Sequence, residues 1–176
     1  ITRAMAESFN RSYAVDTLKL PEPLISKDTG RVIGTDGERK MSKSLGNVIG
    51  IFDDPEVIRK QIKGCFTDPN RLKATDPGKV EGNPVFIFHD LLNDNRDEVN
   101  SLKERYRQGA VGDVEVKDRL FEAHQRTFEQ ARKRRVELEN NLDEVREILR
   151  TGAGKAAMVA NETLEEVYKV IGIKKI

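Results

Sequence analysis

Apolar residues recur at helical spacing through most of this chain, broken by clusters of Pro, Gly, Asn and Asp. Ile1, Met5, Phe9 and Tyr13 repeat every four positions with Ala4 and Ala6 beside them, which predicts an amphipathic first helix. No capping residue precedes that helix and no initiator Met opens the chain. It is expected to begin mid-helix, as the C-terminal part of a longer protein. Pro21 and Pro23 bar a helix over 18–25 and make that stretch extended. Leu24-Ile25 and Arg31-Val32-Ile33 flank Lys27-Asp-Thr-Gly30 as a short hairpin or paired extended segments.

Beyond residue 52 the pattern is helical almost throughout. Asp53-Asp54-Pro55-Glu56 combines a capping carboxylate, a proline suited to a first helical position and an acid at the positive dipole end. Val57, Ile58, Ile62, Cys65 and Phe66 are expected to be the buried side of the helix that follows. Residues 67–83 carry successive turn signals, and Pro84 opens a helix with Val85, Phe86, Ile87, Phe88, Leu91 and Leu92 as core. His89 in that run is read as a structural histidine. A helix over 97–106 faces Val99, Leu102 and Tyr106 to one side. Asp113 is expected to cap a long charged helix with Val116, Leu120, Phe121, His124, Phe128 and Ala131 as its seam. Leu142, Val145, Ile148 and Leu149 form a turn set ending at Gly152, and an alanine-rich last helix runs from Ala156 to Ile171.

Composition narrows the fold class. Of 176 residues, 37% are hydrophobic and 35% charged, which favours solvent-washed helices over a thick sheet core. The formal net charge of +1 gives no global basic field, so attraction to a nucleic acid must come from local patches. Cys65 is the only cysteine, which excludes an intrachain disulfide and a cysteine-based metal site and suits a reducing, cytoplasmic setting. No apolar run is long enough to cross a membrane. Arg132-Lys-Arg-Arg135 is the strongest basic cluster, readable as a solvated face paired with Glu137 and Glu139 or as a phosphate contact to RNA.

The chemistry concentrates in Gly34–Asn47. Asp36-Gly37 and Gly46-Asn47 are turn pairs, and between them Lys40-Met-Ser-Lys-Ser44 gathers two ammonium groups and two hydroxyls on one short loop. Lysines supply positive charge and serines with backbone N–H groups supply donors, a combination that suits a polyphosphate.

The string Lys40–Ser44 resembles the second signature of the class I aminoacyl-tRNA synthetases. Several other stretches resemble the bacterial tryptophanyl-tRNA synthetases in particular: Ile1–Asn10, Thr67–Arg71, Asp76–Gly78, Asn83–Phe86 with His89, and Gly152–Leu164. The resemblance implies tryptophan activation by ATP and transfer of the aminoacyl group to tRNA(Trp). It implies Lys40 and Lys43 as the charge-stabilising pair, with Val32, Lys40, Met41, Ser42, Lys43 and Ser44 contacting ATP. It further implies Mg²⁺ travelling with ATP, a homodimer in the full-length protein, and tRNA contacts at Arg132, Lys133, Arg134 and Arg135. The expected fold is mainly α: residues 1–52 as the C-terminal remnant of a Rossmann-type α/β catalytic domain, and 53–176 as an all-α helical bundle that meets the tRNA anticodon.

The sequence departs from that family in one respect. Its two histidines, His89 and His124, lie in no H-x-G-H-like motif, and the residues that would select the indole ring are absent. The chain by itself is therefore expected to be inactive. Two other readings are compatible with the residues: a tyrosyl-type class I synthetase, and a non-catalytic helical module that binds RNA or protein.

Overall fold

The computed structural model describes residues 1–26 and 30–173. Among them the chain is mainly α, with seven α-helices, one 3-10 turn (Lys43–Leu45) and no strand beyond a single antiparallel bridge between Ile33 and Lys40. The expected hairpin across Lys27–Gly30 falls largely outside the described residues. The pairing that is seen lies one loop later, around 34–39.

Local chemistry sets most helix starts. Preceding α2 (Pro55–Lys63), Asp54 accepts the Glu56 N–H at 2.9 Å. Asn83 does the same for Val85 at 3.0 Å ahead of α3 (Pro84–Leu92), and Asn95 for Glu98 at 3.1 Å ahead of α4 (Arg96–Arg107). Such a cap contributes about 1 kcal/mol. The start of α5 (Asp113–Thr127) differs from expectation, because Gly112 is its N-cap. The Asp113 carboxylate turns away to accept the Tyr106 hydroxyl at 2.8 Å and Arg71 Nη1 at 3.1 Å.

The chain divides into two units, and Ile25–Val136 holds the main core. Ile58, Ile62 and Cys65 meet Val85, Phe86 and Phe88 of α3, Leu102 and Tyr106 of α4, and Val116, Leu120 and Phe121 of α5. Val57 and Phe66, expected in this core, are about half exposed. Phe66 instead covers Gly37, where an added Cβ would come within 3.0 Å of its ring. His89 is a satisfied core histidine, its Nε2 3.0 Å from the Val116 carbonyl and its Nδ1 3.4 Å from Asn93.

The irregular stretch 67–83 is held by Arg71, whose side chain is almost fully buried. Its Nε donates to the Asp76 carbonyl at 2.8 Å, its Nη2 to the Val111 and Ala74 carbonyls, and its guanidinium lies 4.2 Å over the Tyr106 ring. The Asp113 carboxylate balances the charge, and every side of the fork has an acceptor, the condition under which a buried cation is tolerated. Gly78 lets the chain pass this assembly, since a Cβ there would sit 2.2 Å from the Tyr106 ring.

The predicted seam from Val116 to Ala131 does not lie on one helix. The helix is interrupted at Phe128, and α6 (Glu129–Glu139) follows with no buried residue and with Ala131 exposed. Phe128 turns its ring towards His124, 4.9 Å between centroids, and Thr127 donates to the Leu92 carbonyl at 2.6 Å. The Phe128 N–H still bonds the His124 carbonyl and the Arg132 N–H the Phe128 carbonyl, so the break is a kink accompanied by contacts back to α5 and α3.

The other unit comprises Ile1–Leu24 with Glu137–Ile176. Its first helix, α1 (Thr2–Tyr13), buries Ala6, while Ile1, Met5 and Tyr13 of the predicted apolar face are exposed. The break expected at Gly152 does not occur. One helix, α7 (Leu142–Ile171), runs for 30 residues through Gly152 and Gly154 and buries none of them. Neither glycine adopts the positive φ that a helix-ending glycine takes, so each costs propensity without stopping the helix.

Candidate functional site

Gly34–Asn47 folds back on itself as a closed loop. The Ile33–Lys40 bridge is flanked by two backbone bonds, Gly34 N–H to the Arg39 carbonyl at 2.8 Å and Met41 N–H to the Val32 carbonyl at 2.9 Å. At the tip, Gly37 N–H reaches the Gly34 carbonyl at 3.0 Å, and Gly37 takes φ +76°, a conformation that residues with a Cβ resist. The outgoing limb, Lys43–Leu45, is one 3-10 turn closed by Gly46 at φ +67°.

Asn47 occupies the centre of the loop and is 4% exposed. Its Nδ2 donates to Asp36 Oδ2 at 2.8 Å and to the Lys40 carbonyl at 3.2 Å, while its Oδ1 accepts the Ser42 N–H at 2.8 Å. Its own carbonyl accepts the Thr35 N–H at 3.0 Å. Asp36 is similarly engaged, accepting the Glu38 and Arg39 N–H groups and the Arg39 guanidinium. Desolvation pushes the Asp36 pKa up, but the hydrogen bonds from Asn47, Glu38 and Arg39 together outweigh it and carry it down to about 2. Asp36 is a carboxylate at every physiological pH.

The six residues expected to contact ATP are brought together on this loop. Val32 and Met41 turn their side chains onto the core and brace the loop from beneath. Lys40 and Lys43 are exposed, and among the described residues neither is engaged by a carboxylate. Ser42 and Ser44 share a hydrogen bond of 2.9 Å between their hydroxyls, leaving lone pairs and a proton for an incoming group. Two cations and two hydroxyls therefore face outwards from a frame that is tied down internally. An arrangement of that kind can stabilise charge on phosphate oxygens.

The basic cluster stands elsewhere, on α6. Lys133 pairs with Glu129 at 2.6 Å, the Arg135 guanidinium lies 4.8 Å over the Phe52 ring, and Arg132 is half-buried with Nη2 donating to the Gln125 carbonyl. Sequence reasoning treated Asn47 and Asp36 as turn residues and gave neither a supporting role in the loop. The available signal was weak: an Asx residue next to Gly marks a turn equally well whether its side chain points out or in.

The family of class I tRNA synthetases for tryptophan and tyrosine (W and Y) matches residues 1–129 of this chain. The chain belongs to that family. Over nearly its whole length it is homologous to tryptophan–tRNA ligases: that of Treponema pallidum is 44% identical over 173 residues, covering 98% of this chain and 51% of the relative. The Clostridium longisporum ligase is 43% identical over the same span. Among solved structures, the tryptophanyl-tRNA synthetase of Campylobacter jejuni complexed with ADP and tryptophan superimposes with a TM-score of 0.77 at 33% identity, over 97% of this chain and 52% of that one. The chain thus spans about half the length of the relatives it matches.

Proposed function

We propose that this chain supplies the ATP-side loop and the helical region of a tryptophan–tRNA ligase. In the first step the tryptophan carboxylate attacks the α-phosphate of ATP, forming tryptophanyl-adenylate and expelling pyrophosphate. In the second, a terminal ribose hydroxyl of tRNA(Trp) takes the aminoacyl group and AMP leaves. Lys40 and Lys43 stabilise the charge that builds on the departing pyrophosphate. Ser42, Ser44 and the loop backbone hold phosphate oxygens, Met41 braces the loop, and the Val32 backbone borders the adenine.

The observation that carries this reading is the pair of exposed lysines on an internally bonded loop, in a chain homologous to tryptophan–tRNA ligases. Mg²⁺ would travel with the ATP, held by its phosphates and water more than by protein. Residues 1–52 belong to the catalytic domain in this reading, and 53–176 form the tRNA-binding helical domain, with Arg132, Lys133, Arg134 and Arg135 meeting the RNA backbone. The whole enzyme works as a cytoplasmic homodimer. No described helix is long and apolar enough to cross a membrane. Both histidines are buried in helical packing. In this reading the chain offers no exposed histidine to the ATP phosphates, and by itself it is expected to be inactive.

The test is tryptophan-dependent ATP–pyrophosphate exchange in a protein that joins this chain to the part of the Treponema pallidum ligase it does not match. Exchange is expected there and not in the chain alone. The Lys40→Ala, Lys43→Ala double variant is expected to lose about 10³-fold or more in kcat, with tryptophan binding retained. Exchange that survives the double substitution, or that tyrosine supports in place of tryptophan, overturns the proposal.

A further inference from the structure

We propose that Asn47, held by Asp36, is the positioning residue that divides the loop into a fixed limb carrying Lys40 and a pivoting limb carrying Lys43. This rests on the reading of the loop as the ATP-side machinery. Two of the three side-chain bonds of Asn47 fall on the atoms that set the path of the first limb, the Lys40 carbonyl and the Ser42 N–H, and the third goes to Asp36. Both peptide units around Met41 are thereby held from inside, and the Ile33–Lys40 bridge and the Met41 N–H bond hold the same stretch from the other side. Gly34 leaves the room this requires. A Cβ at that position would meet Asn47 Nδ2 at 2.1 Å.

The second limb is built differently. Lys43–Leu45 has no side-chain cap, and among the described residues its backbone closes through two short-range bonds, Leu45 N–H to the Ser42 carbonyl and Gly46 N–H to the Lys43 carbonyl. It ends on Gly46 at φ +67°, with open space where a Cβ would go. A segment anchored at Ser42 and Asn47, exposed between them and ending on glycine can swing while its anchors stay in place. Lys40 is therefore set before ATP arrives, and Lys43 is delivered by rotation of 43–46 about the Asn47 anchor. Asp36 keeps the anchor polarised in the required sense: its carboxylate only accepts, so Asn47 must present its NH₂ to it and its oxygen to Ser42.

Two readouts test this. The first uses the chain as it stands, following amide hydrogen exchange by NMR. The Ser42 N–H is expected to be protected and the Ser44 N–H fast, and Asn47→Ala is expected to bring Ser42 to the Ser44 rate. Equal rates at both positions in the unsubstituted chain, or Ser42 protection unchanged in Asn47→Ala, overturns the division into limbs. The second uses pyrophosphate exchange in the joined protein described above, corrected for active fraction. Asn47→Asp sets two carboxylates together and is expected to lower kcat about 10–100-fold while the KM for tryptophan stays within about two-fold. The exchanged pair Asp36→Asn with Asn47→Asp restores the 36–47 bond in the opposite sense but leaves the Lys40 carbonyl without its donor, so at most a small part of that loss is expected back. A kcat unaffected by Asn47→Asp, or full recovery in the exchanged pair, refutes the positioning role. If the joined protein shows no exchange at all, the ligase reading fails there, and the Ser42 readout still decides whether Asn47 is the anchor.

Discussion

His124 shows how much a single side chain can reveal about its surroundings. It is 1% exposed, and among the described residues neither ring nitrogen has a partner at full hydrogen-bond geometry, the Gly50 carbonyl making only a weak approach. Burial first, and then the charge of Arg132, push its pKa from 6.5 down to about 4, with the Gly50 carbonyl pulling the other way. The imidazole is therefore neutral in the folded chain at pH 7. Between pH 6.5 and 4 the unfolded chain binds a proton that the folded chain refuses, so stability is complete above about pH 6.5 and is lost as pH falls towards 4. The contribution amounts to about 3 kcal/mol at most. Urea unfolding followed from pH 7 to 4 is expected to show that decline. His124→Phe, which has nothing to protonate, is expected to flatten much of it, leaving a smaller part from His89, whose pKa burial also lowers.

Elements differ in how far local sequence determines them. The start of α2 was legible in its capping carboxylates, and those of α3 and α4 fell within a residue of where Pro84 and the apolar spacing put them. Their caps Asn83 and Asn95 were not read as such, although each acts on an N–H group two or three residues away. Phe128 and Gly152 were misread for opposite reasons. The interruption at Phe128 comes with contacts to His124 and with a Thr127 bond to Leu92, 35 residues distant, which no local rule reveals. Gly152 and Gly154 look like stops, but a stop needs a left-handed residue, and both stay helical. Since an added Cβ at either meets nothing within 4 Å, Gly152→Ala and Gly154→Ala are each expected to stabilise α7 by up to about 1 kcal/mol. A higher thermal midpoint with more helical circular dichroism would confirm it; a lower midpoint would mean that a neighbour needs the bare backbone. In the loop, the signature string and its lysines could be read directly. The Asn47 anchor could not, because its partners Asp36 and Lys40 reach it only once the chain has turned back on itself.

At the scale of the whole molecule, charge is local. A formal charge of +1 leaves RNA attraction to patches such as Arg132–Arg135 on α6. In the proposed ligase, Lys133→Gln and Arg134→Gln are expected to weaken tRNA binding similarly across tRNA sequences. Each should lower the slope of log affinity against log salt by about 1 if its cation meets a phosphate. Filter binding from low to high salt measures this, and an unchanged slope would return the cluster to the status of a solvated helix face. The exposed apolar side chains tell a second molecular-scale story. Met5 and Tyr13 on α1, with Leu149, Met158 and Val159 on α7, leave a good deal of greasy surface in one unit. Relatives about twice the length of this chain have further residues with which to cover such surface.

Cys65 is the only sulfhydryl in the chain, buried in the main core with its Sγ 3.7 Å from the Gln61 carbonyl. Burial drives its pKa up to about 11, with Lys117 opposing only in part, so the folded protein offers essentially no thiolate at neutral pH. Chemically, the native state is silent toward alkylating reagents, and this one sulfur keeps time for every opening of the core. A spectroscopic tag placed on a new cysteine in the 43–46 limb would therefore report that limb alone, against a dark background.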